Sequence, residues 1–315
     1  MTQHNIMFKQ PTIVEDMERL QMTGDAFGPK ADAPLPDLRS GRSVFRPGRT
    51  LDRLPVTLDH VTGRDLSPAP LDIAQPNPDR VWESLTPITL DPEFLAGNGL
   101  FPLANQSPTT ATFDILRTRT LQALEDRNWR RIAVTSPTHG CGKSLIAANL
   151  ALSLSRRPST RSVLMDLELR QPALAGMLGV ANPGPLRDFL TGEQPLESHF
   201  RVANRNLALA LNGTPVPDAA ELLQEPATTA ALSAMVEHLA PDIVIYDLPH
   251  ALGSDDVIAM LPQLDAILLV ADGTRTTAAD IRACERLFEG RVPLLGVVLN
   301  RAQDRNRARY RYAKG

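Results

Sequence analysis

With 315 residues, the chain can hold one large domain or two ordinary ones, and its 4% aromatic and 22% charged residues are typical of a soluble globular protein. The net charge of -3 provides no overall attraction to nucleic acid or to an anionic membrane, so no nucleic-acid partner is expected. The sequence has no run of about 18 apolar residues and no hydrophobic stretch at the N-terminus, which argues against a membrane span or signal peptide and predicts a cytoplasmic protein.

The first part of the chain, residues 1–107, is predicted to be a proline-rich, largely irregular region without a core of its own. Its prolines interrupt every long periodic pattern, including Pro34, Pro36, Pro68, Pro70, Pro76 and Pro78. Residues 12–22 are an exception, because Ile13, Met17 and Leu20 fall on one face of a short helix behind a capping threonine. Two interpretations stay open for this helix: it docks on a partner, or it forms only transiently.

Residues 108–303 are predicted to form a single α/β domain. It begins with a helix that is capped near Ser107 and runs to about Arg127. Predicted strands, separated by helical patterns, cover residues 129–135, 162–167, 206–211, 242–247, 264–270 and 292–300. Near-continuous apolar strands of this kind are typical of a parallel sheet with helices on both faces, so this is the predicted fold class.

A phosphate-binding loop is predicted at residues 136–144, where the sequence is SPTHGCGKS. The loop lies between a predicted strand and a predicted helix, which is the order found in P-loop nucleotide-binding domains. Gly140 and Gly142 permit positive φ angles and close backbone approach to a phosphate. Lys143 supplies a cation for the terminal phosphates of ATP, and Ser144 supplies a hydroxyl for Mg²⁺.

The other loop residues complete the predicted ATP-binding loop, and they are Thr138, His139 and Cys141. Pro137 stands where the strict motif has glycine, so the prediction rests on the order of strand, loop and helix. The alternative is a glycine-rich turn that opens an ordinary helix. Cys141 lies among backbone amides and next to a lysine, a setting in which some thiols are reactive, but we interpret this residue as a small, inert part of the loop.

Acidic residues at two strand ends complete the predicted site, because ligands of an open parallel sheet lie beyond the carboxyl ends of its strands. Asp247 is predicted to hold Mg²⁺ opposite Ser144, with an N-cap or turn as the alternative. Asp166 and Glu168 follow another strand, and alternation places both on one side together with Arg170. One carboxylate would accept a proton from an incoming hydroxyl while the other assists the metal or positions that acceptor, the alternative being a surface salt-bridge cluster.

Asn300 ends the last predicted strand and is a further candidate binding residue. Its amide can pair with the edge of an adenine ring, because it offers one donor and one acceptor side by side. A turn-forming asparagine is the alternative.

Several motifs between residues 91 and 315 occur in an order that is known from one protein family. They are FDILRT (113–118), TSPTHGCGKS (135–144), VLMDLELRQP (163–172), GPLRDFL (184–190), PDAAELL (217–223), DIVIYDLP (242–249) and GVVLN (296–300). In this order they resemble the opening helix, Walker A, the second acidic motif or Walker A′, two further segments, Walker B and the final strand of bacterial tyrosine autokinases, or BY-kinases. These kinases serve capsule and exopolysaccharide production and share a P-loop branch with the septum-site and plasmid-partition ATPases.

The resemblance implies an ATP- and Mg²⁺-dependent protein-tyrosine autokinase. By position, Lys143 would neutralise the transferring phosphoryl group, Ser144 and Asp247 would hold the metal, and Asp166 would be the metal-associated catalytic base with Glu168 as its partner. Members of the family often act on a neighbouring subunit in a ring, and they usually need a membrane-embedded activator. A separate activator or polysaccharide co-polymerase, recruitment to the inner face of the membrane and a homo-oligomer are therefore expected.

The chain also departs from the family pattern. Glu168 replaces the usual Asp of the second acidic motif, and only Arg117 matches the ring-forming Glu-x-x-Arg-x-x-Arg pattern, whose other positions fall on Ala111 and Asp114. A reversed charge at Asp114 would turn an attraction between subunits into repulsion. These departures leave an alternative open, in which the chain binds ATP and serves as a scaffold for a membrane partner but has no kinase activity itself. A partition-type ATPase is less favoured, because Thr138 stands where those proteins carry a signature lysine.

The C-terminal tail, residues 304–315, is basic and contains Tyr310 and Tyr312, the predicted phosphoacceptors. Phosphorylation would add about -1.5 to -2 charges at each tyrosine and so change how the tail docks. Alternatively, the arginines bind acidic lipid or polysaccharide precursors and the tyrosines are incidental.

Overall fold

In a computed structural model of the chain, the described residues are 7–9, 77–101 and 107–302. All of them belong to one compact unit. The predicted helix at residues 12–22 and the predicted tail at 304–315 lie outside the described residues. None of the described helices combines the length and the apolar character that crossing a bilayer requires.

Helices and strands alternate through most of the described chain. The helices are α1 (Pro78–Ser84), α2 (Pro92–Gly97), α3 (Pro108–Glu125), α4 (Lys143–Ser155), α5 (Leu174–Leu178), α6 (Leu186–Leu190), α7 (Leu196–His199), α8 (Ala219–Gln224), α9 (Pro226–Leu239), α10 (Asp255–Met260) and α11 (Ala278–Phe288). The strands are β1 (Met7–Lys9), β2 (Thr86–Pro87), β3 (Arg131–Thr135), β4 (Ser162–Asp166), β5 (Arg201–Asn204), β6 (Leu207–Ala210), β7 (Ile243–Asp247), β8 (Ala266–Asp272) and β9 (Leu294–Asn300).

The strands form one sheet in the order β1-β9-β8-β3-β7-β4-β6-β5-β2. The six strands from β9 to β6 in this order are parallel, which confirms the predicted parallel sheet. Nearer the edges, β1 runs antiparallel to β9 and β5 runs antiparallel to β6. The connection from β5 to β6 is a tight turn, and a turn this short joins only antiparallel strands because a parallel pair needs a long crossover.

The hydrophobic core lies on both faces of this sheet, as the sequence predicted. Alternate residues of a strand point to opposite faces, so Ile132 and Val134 pack with α3 and α4 while Ala133 packs on the other side. The other face is covered by α9 and α11, through residues such as Met235 and Ile281. The predicted α/β class with helices on both faces is therefore confirmed.

Residues 77–101 differ from the prediction that residues 1–107 are irregular. Trp82 of α1 joins the core on the α9 face, and its indole Nε1 donates a hydrogen bond to the carbonyl of Leu239 at 2.8 Å. Leu95 of α2 is fully buried in the core on the α4 face. Between the two helices, β2 extends the edge of the sheet. This segment therefore contributes to the core on both faces.

The prolines of this segment explain why the prediction was wrong there. Pro78 and Pro92 occupy the first turns of α1 and α2, behind the N-caps Asn77 and Asp91. Proline at the first helical position loses no hydrogen bond and has a suitable φ angle, so it starts a helix instead of breaking one.

Candidate active site

The loop between β3 and α4 has the backbone conformation that phosphate binding requires. Gly140 and Gly142 have φ angles of +81° and +89°, in the left-handed region that favours glycine. A Cβ atom at Gly142 would also lie 2.3 Å from the side-chain nitrogen of Asn300. The N-terminus of α4, which begins at Lys143, opens on this loop and favours negative charge there.

Lys143 lies at the centre of a cluster of acidic groups. Its Nζ atom is 2.6 Å from Oε2 of Glu168 and 3.6 Å from Oδ1 of Asp247, and it donates a hydrogen bond to Oγ of Ser144 at 3.2 Å. Burial by itself would lower the pKa of Lys143, but the charges of Asp247 and Glu168 outweigh that effect and raise it. The lysine therefore stays protonated beside the loop, where it pairs with these carboxylates.

Asp166 and Asp247 are direct neighbours across β4 and β7, and both are fully buried. Oδ2 of Asp166 accepts a hydrogen bond from the amide of Leu174. Oδ1 of Asp166 and both carboxylate oxygens of Asp247 accept none from the part of the chain that the structure describes. Burial raises the pKa of both carboxyl groups; the charge of Asp247 raises that of Asp166 further, and Lys143 opposes the rise at Asp247.

These buried oxygens fit a magnesium ion. Buried carboxylate oxygens without a hydrogen-bond partner are costly, and a metal cation at this place would satisfy them. Mg²⁺ prefers oxygen ligands and needs only one or two carboxylates besides substrate phosphates. Asp247, Asp166 and the hydroxyl of Ser144, which are the predicted metal residues, could supply such oxygens.

Arg170 takes a different position from the one that strand alternation predicted. Its guanidinium binds the buried carboxylate of Asp256, at 3.2 Å, 3.1 Å and 3.0 Å, instead of lying with Asp166 and Glu168. Strand β4 ends at Asp166, so the alternation of an extended strand does not continue to Arg170. The pair with Asp256 instead anchors the segment that carries Glu168 to the start of α10.

Asn300 has a different contact from the predicted adenine edge. Its side-chain Nδ2 donates to the carbonyl of Cys141 at 2.8 Å, and its Oδ1 accepts from the amide of Arg301 at 2.9 Å. The side chain is fully buried. Both polar atoms of the amide are thus engaged within the protein, on the phosphate-binding loop and on the end of β9.

The remaining loop residues pack into the same framework. The Cys141 thiol is buried and lies 3.2 Å from the carbonyl of Thr138, which agrees with its interpretation as a small loop residue. The ring of His139 lies edge-on to that of His250, with centroids 6.2 Å apart. The predicted phosphoacceptors Tyr310 and Tyr312 lie outside the described residues.

Two arginines at the loop were missed by the sequence analysis. Arg275 donates to the carbonyl of His139 at 2.9 Å, and Arg301 donates to the carbonyl of Gly140 at 3.0 Å. They follow β8 and β9, far from the loop in sequence, and neither belongs to a recognised motif. The only available signal was the position of Arg301 directly after Asn300, at the end of a predicted strand.

The fold and this site define a class of protein. A glycine-rich loop follows a central parallel strand, opens a helix, and faces acidic residues from the two neighbouring strands on one side, so the protein is a P-loop NTPase. Within that class, the chain belongs to the ParA family, whose model, described as NUBPL iron-transfer P-loop NTPase, matches residues 128–307.

Individual relatives are named as tyrosine kinases or as polysaccharide transport proteins. The putative tyrosine-protein kinase EpsB of Ralstonia solanacearum is 30% identical over 222 residues, covering 68% of this chain and 29% of EpsB. The succinoglycan biosynthesis transport protein ExoP of Rhizobium meliloti (strain 1021) is 29% identical over 212 residues, covering 66% and 27%. The chain thus spans less than a third of the length of these two relatives.

A solved structure extends the similarity to a whole kinase domain. The BceF tyrosine kinase domain superposes with a TM-score of 0.55 at 25% identity, covering 70% of this chain and 96% of that domain. The resemblance to the bacterial tyrosine autokinases is therefore confirmed.

Proposed function

We propose that this chain is an ATP- and Mg²⁺-dependent protein-tyrosine autokinase that regulates the polymerisation or export of an exopolysaccharide or capsule. One observation carries the proposal: Lys143 meets Glu168 and Asp247 beside the phosphate-binding loop, with Asp166 next to Asp247 in the sheet. A cation and three carboxylates converge where the terminal phosphate of a nucleotide in such a loop lies. The names of EpsB and BceF support tyrosine as the acceptor.

Each side chain has a role that follows from its chemistry. Lys143 neutralises charge on the transferring phosphoryl group, and Glu168, 2.6 Å away, holds the lysine beside the loop. Ser144, Asp247 and Asp166 hold Mg²⁺, which when bound stabilises negative charge on the phosphate oxygens. Asp166, whose Oδ1 is without a hydrogen-bond partner among the described residues, orients the tyrosine hydroxyl and accepts its proton.

We assign the phosphate acceptor to the C-terminal tail, because the tyrosine outside the tail is buried. The chain contains 3 tyrosines, and Tyr246 in β7 has no exposed surface. Burial also raises the pKa of Tyr246, which opposes ionisation of its hydroxyl. Tyr246 therefore cannot enter another active site while the domain is folded, and we assign phosphorylation to Tyr310 and Tyr312.

The partner is proposed from the relatives. ExoP is named as a transport protein of succinoglycan biosynthesis, and export of a polysaccharide requires a membrane component. We propose that a separate membrane-embedded activator or co-polymerase recruits this chain to the inner face of the membrane. The change in tail charge on phosphorylation, about -1.5 to -2 per tyrosine, then alters that contact.

Mass spectrometry of the tail after incubation with ATP, Mg²⁺ and an activator tests the kinase. We expect phosphate on Tyr310 or Tyr312 in the wild-type chain and none in Lys143→Met. A chain with both Tyr310→Phe and Tyr312→Phe serves as a matched control, since it should lose the phosphotyrosine and still bind ATP. Phosphotyrosine that persists in purified Lys143→Met would reject the proposed site, and ATP binding without tyrosine labelling in the wild type would instead favour the scaffold.

A further inference from the structure

Three consecutive peptide carbonyls of the phosphate-binding loop are held by side chains from the ends of β8 and β9. Arg275 donates to His139, Arg301 donates to Gly140, and Asn300 donates to Cys141, at 2.9 Å, 3.0 Å and 2.8 Å. We call these three side chains, Arg275, Asn300 and Arg301, the carbonyl clamp.

The geometry of the peptide bond means that holding the loop carbonyls also sets the direction of the loop amides. In a trans peptide the C=O and N–H bonds point in opposite directions within one plane. Carbonyls that point toward β8 and β9 therefore turn the amides of residues 140–142 away from those strands, toward the side where a phosphate is bound. Within the described residues, the amides of Gly140 and Gly142 donate to no other group. They are available to an anion.

The clamp is itself anchored by a buried carboxylate. Oδ2 of Asp272, at the end of β8, lies 2.6 Å from Arg301 and 4.0 Å from Nε of Arg275. Oδ1 of the same residue accepts hydrogen bonds from the amide and hydroxyl of Thr274 at 2.8 Å and 2.6 Å. Asp272 is fully buried, so the two guanidinium groups are held by a fixed charge while part of each stays exposed.

We propose that Arg275, Asn300 and Arg301 are positioning residues that preorganise the loop amides for a triphosphate before any nucleotide arrives. Preorganisation lowers the cost of ordering the loop on binding, so it contributes to affinity without contact between these side chains and the base. The inference deepens the proposed function and rests on nucleotide binding at residues 136–144. It does not depend on the transfer of phosphate to tyrosine.

Measuring the binding of three ligands distinguishes the role of Asn300 in the clamp from the adenine contact predicted for it. Dissociation constants of ATP, GTP and inorganic tripolyphosphate are measured with Mg²⁺ for the full chain and for Asn300→Ala, Arg301→Ala and Arg275→Ala. Loss of one hydrogen bond should weaken binding by about three- to tenfold. The clamp predicts the same factor for all three ligands, whereas an adenine contact predicts a loss for ATP alone.

A second measurement examines the loop directly in nucleotide-free protein. Proteolytic cleavage within residues 139–144 should be faster in each clamp variant than in the wild type, because a loop whose carbonyls are released opens more often. The matched control is Arg187→Ala, which removes an exposed arginine paired with Asp218 at 2.9 Å and should change neither binding nor cleavage.

The two arginine variants keep the proposal testable even if the Asn300→Ala variant does not fold. Arg275 and Arg301 are 60% and 40% exposed, so their replacement leaves the core intact even if Asn300→Ala destabilises it. Unchanged affinity for all three ligands in both arginine variants would overturn the clamp, as would a loss in Asn300→Ala that is confined to ATP. A wild-type chain that binds tripolyphosphate but labels no tyrosine would reject the kinase and leave the clamp in place.

Discussion

Asp265 shows how one carboxylate joins two strands at the end of the sheet opposite the nucleotide site. Its Oδ2 accepts hydrogen bonds from the amides of Arg130 and Arg131, both at 2.8 Å, and its Oδ1 binds the guanidinium of Arg131 at 2.9 Å. Burial would raise the pKa of Asp265, but these hydrogen bonds outweigh it and lower the pKa. The charged form is thus favoured in the folded protein.

We expect Asp265→Asn to lower the free energy of unfolding at pH 7 by about 1–3 kcal/mol, because hydrogen bonds to a charged group are lost. Since the folded pKa lies below the unfolded value of about 3.9, this stabilisation is present above that pH and disappears as the pH falls through the folded pKa. Urea unfolding at pH 7 and pH 3 should therefore show a smaller difference between wild type and variant at pH 3 than at pH 7.

The control for this measurement is Asp79→Asn, which alters an exposed carboxylate that pairs with Arg161. An exposed pair contributes little, so its curve should follow the wild type at both pH values. An equal deficit of Asp265→Asn at pH 3 and pH 7 would contradict the electrostatic explanation.

Among single residues, the sequence predicted those whose role depends on residues that are close to them in the sequence. Gly140, Gly142 and Lys143 were found because glycine geometry and a cation within one short loop have a local signature. The contact of Asn300 with Cys141 and that of Arg275 with His139 were missed, because their partners in the loop lie more than a hundred residues away in sequence. Such contacts depend on which strands become neighbours in the sheet.

At the scale of elements, the packing of α3 against α4 depends on a small charged network. Asp114 binds Arg117 at 3.2 Å, accepts a hydrogen bond from the hydroxyl of Ser153 at 2.8 Å, and also binds Arg156. Both arginines are largely buried, with 19% and 17% of their side chains exposed. The acidic residue that departs from the ring-forming pattern of the family is thus neutralised within one chain.

We expect Asp114→Ala to destabilise the fold by about 1–3 kcal/mol, because two largely buried guanidinium groups would then face each other without a counter-charge. Chemical denaturation of the wild type and the variant measures the change. Glu125→Ala is the matched control, since it removes an exposed carboxylate at the end of the same helix. Equal stability of the Asp114 and Glu125 variants would show that the network does not hold the two helices together.

Across the whole molecule, the segment of residues 77–101 belongs to the core of the domain. Trp82 is 5% exposed and makes its hydrogen bond to α9, while Leu95 and Leu100 are fully buried in the core on the other face. The sequence held a signal for this segment, because an asparagine or aspartate before a proline is a common way to start a helix. These helices were not predicted, because the many prolines of residues 1–107 were all interpreted as interruptions of periodic structure.

Trp82→Ala should lower the free energy of unfolding by about 3–5 kcal/mol, as expected when a large core side chain is removed. Ile258→Ala is the control, because Ile258 is 42% exposed on α10 and its loss should cost much less. Unfolding followed by circular dichroism compares the two variants. A cost for Trp82→Ala no larger than that of the control would mean that this segment adds little to the stability of the domain.

The two cysteines lie in different layers of the protein. Cys141 belongs to the core on the α4 face and Cys284 to the core on the α11 face, and neither has exposed surface. Burial raises the pKa of the Cys284 thiol to about 12, so its reactive thiolate is scarce. A reagent can therefore alkylate either sulfur only when the core around it opens. The alkylation rates of Cys141 and Cys284 thus measure local opening of the core on the two faces of the sheet, without an added label.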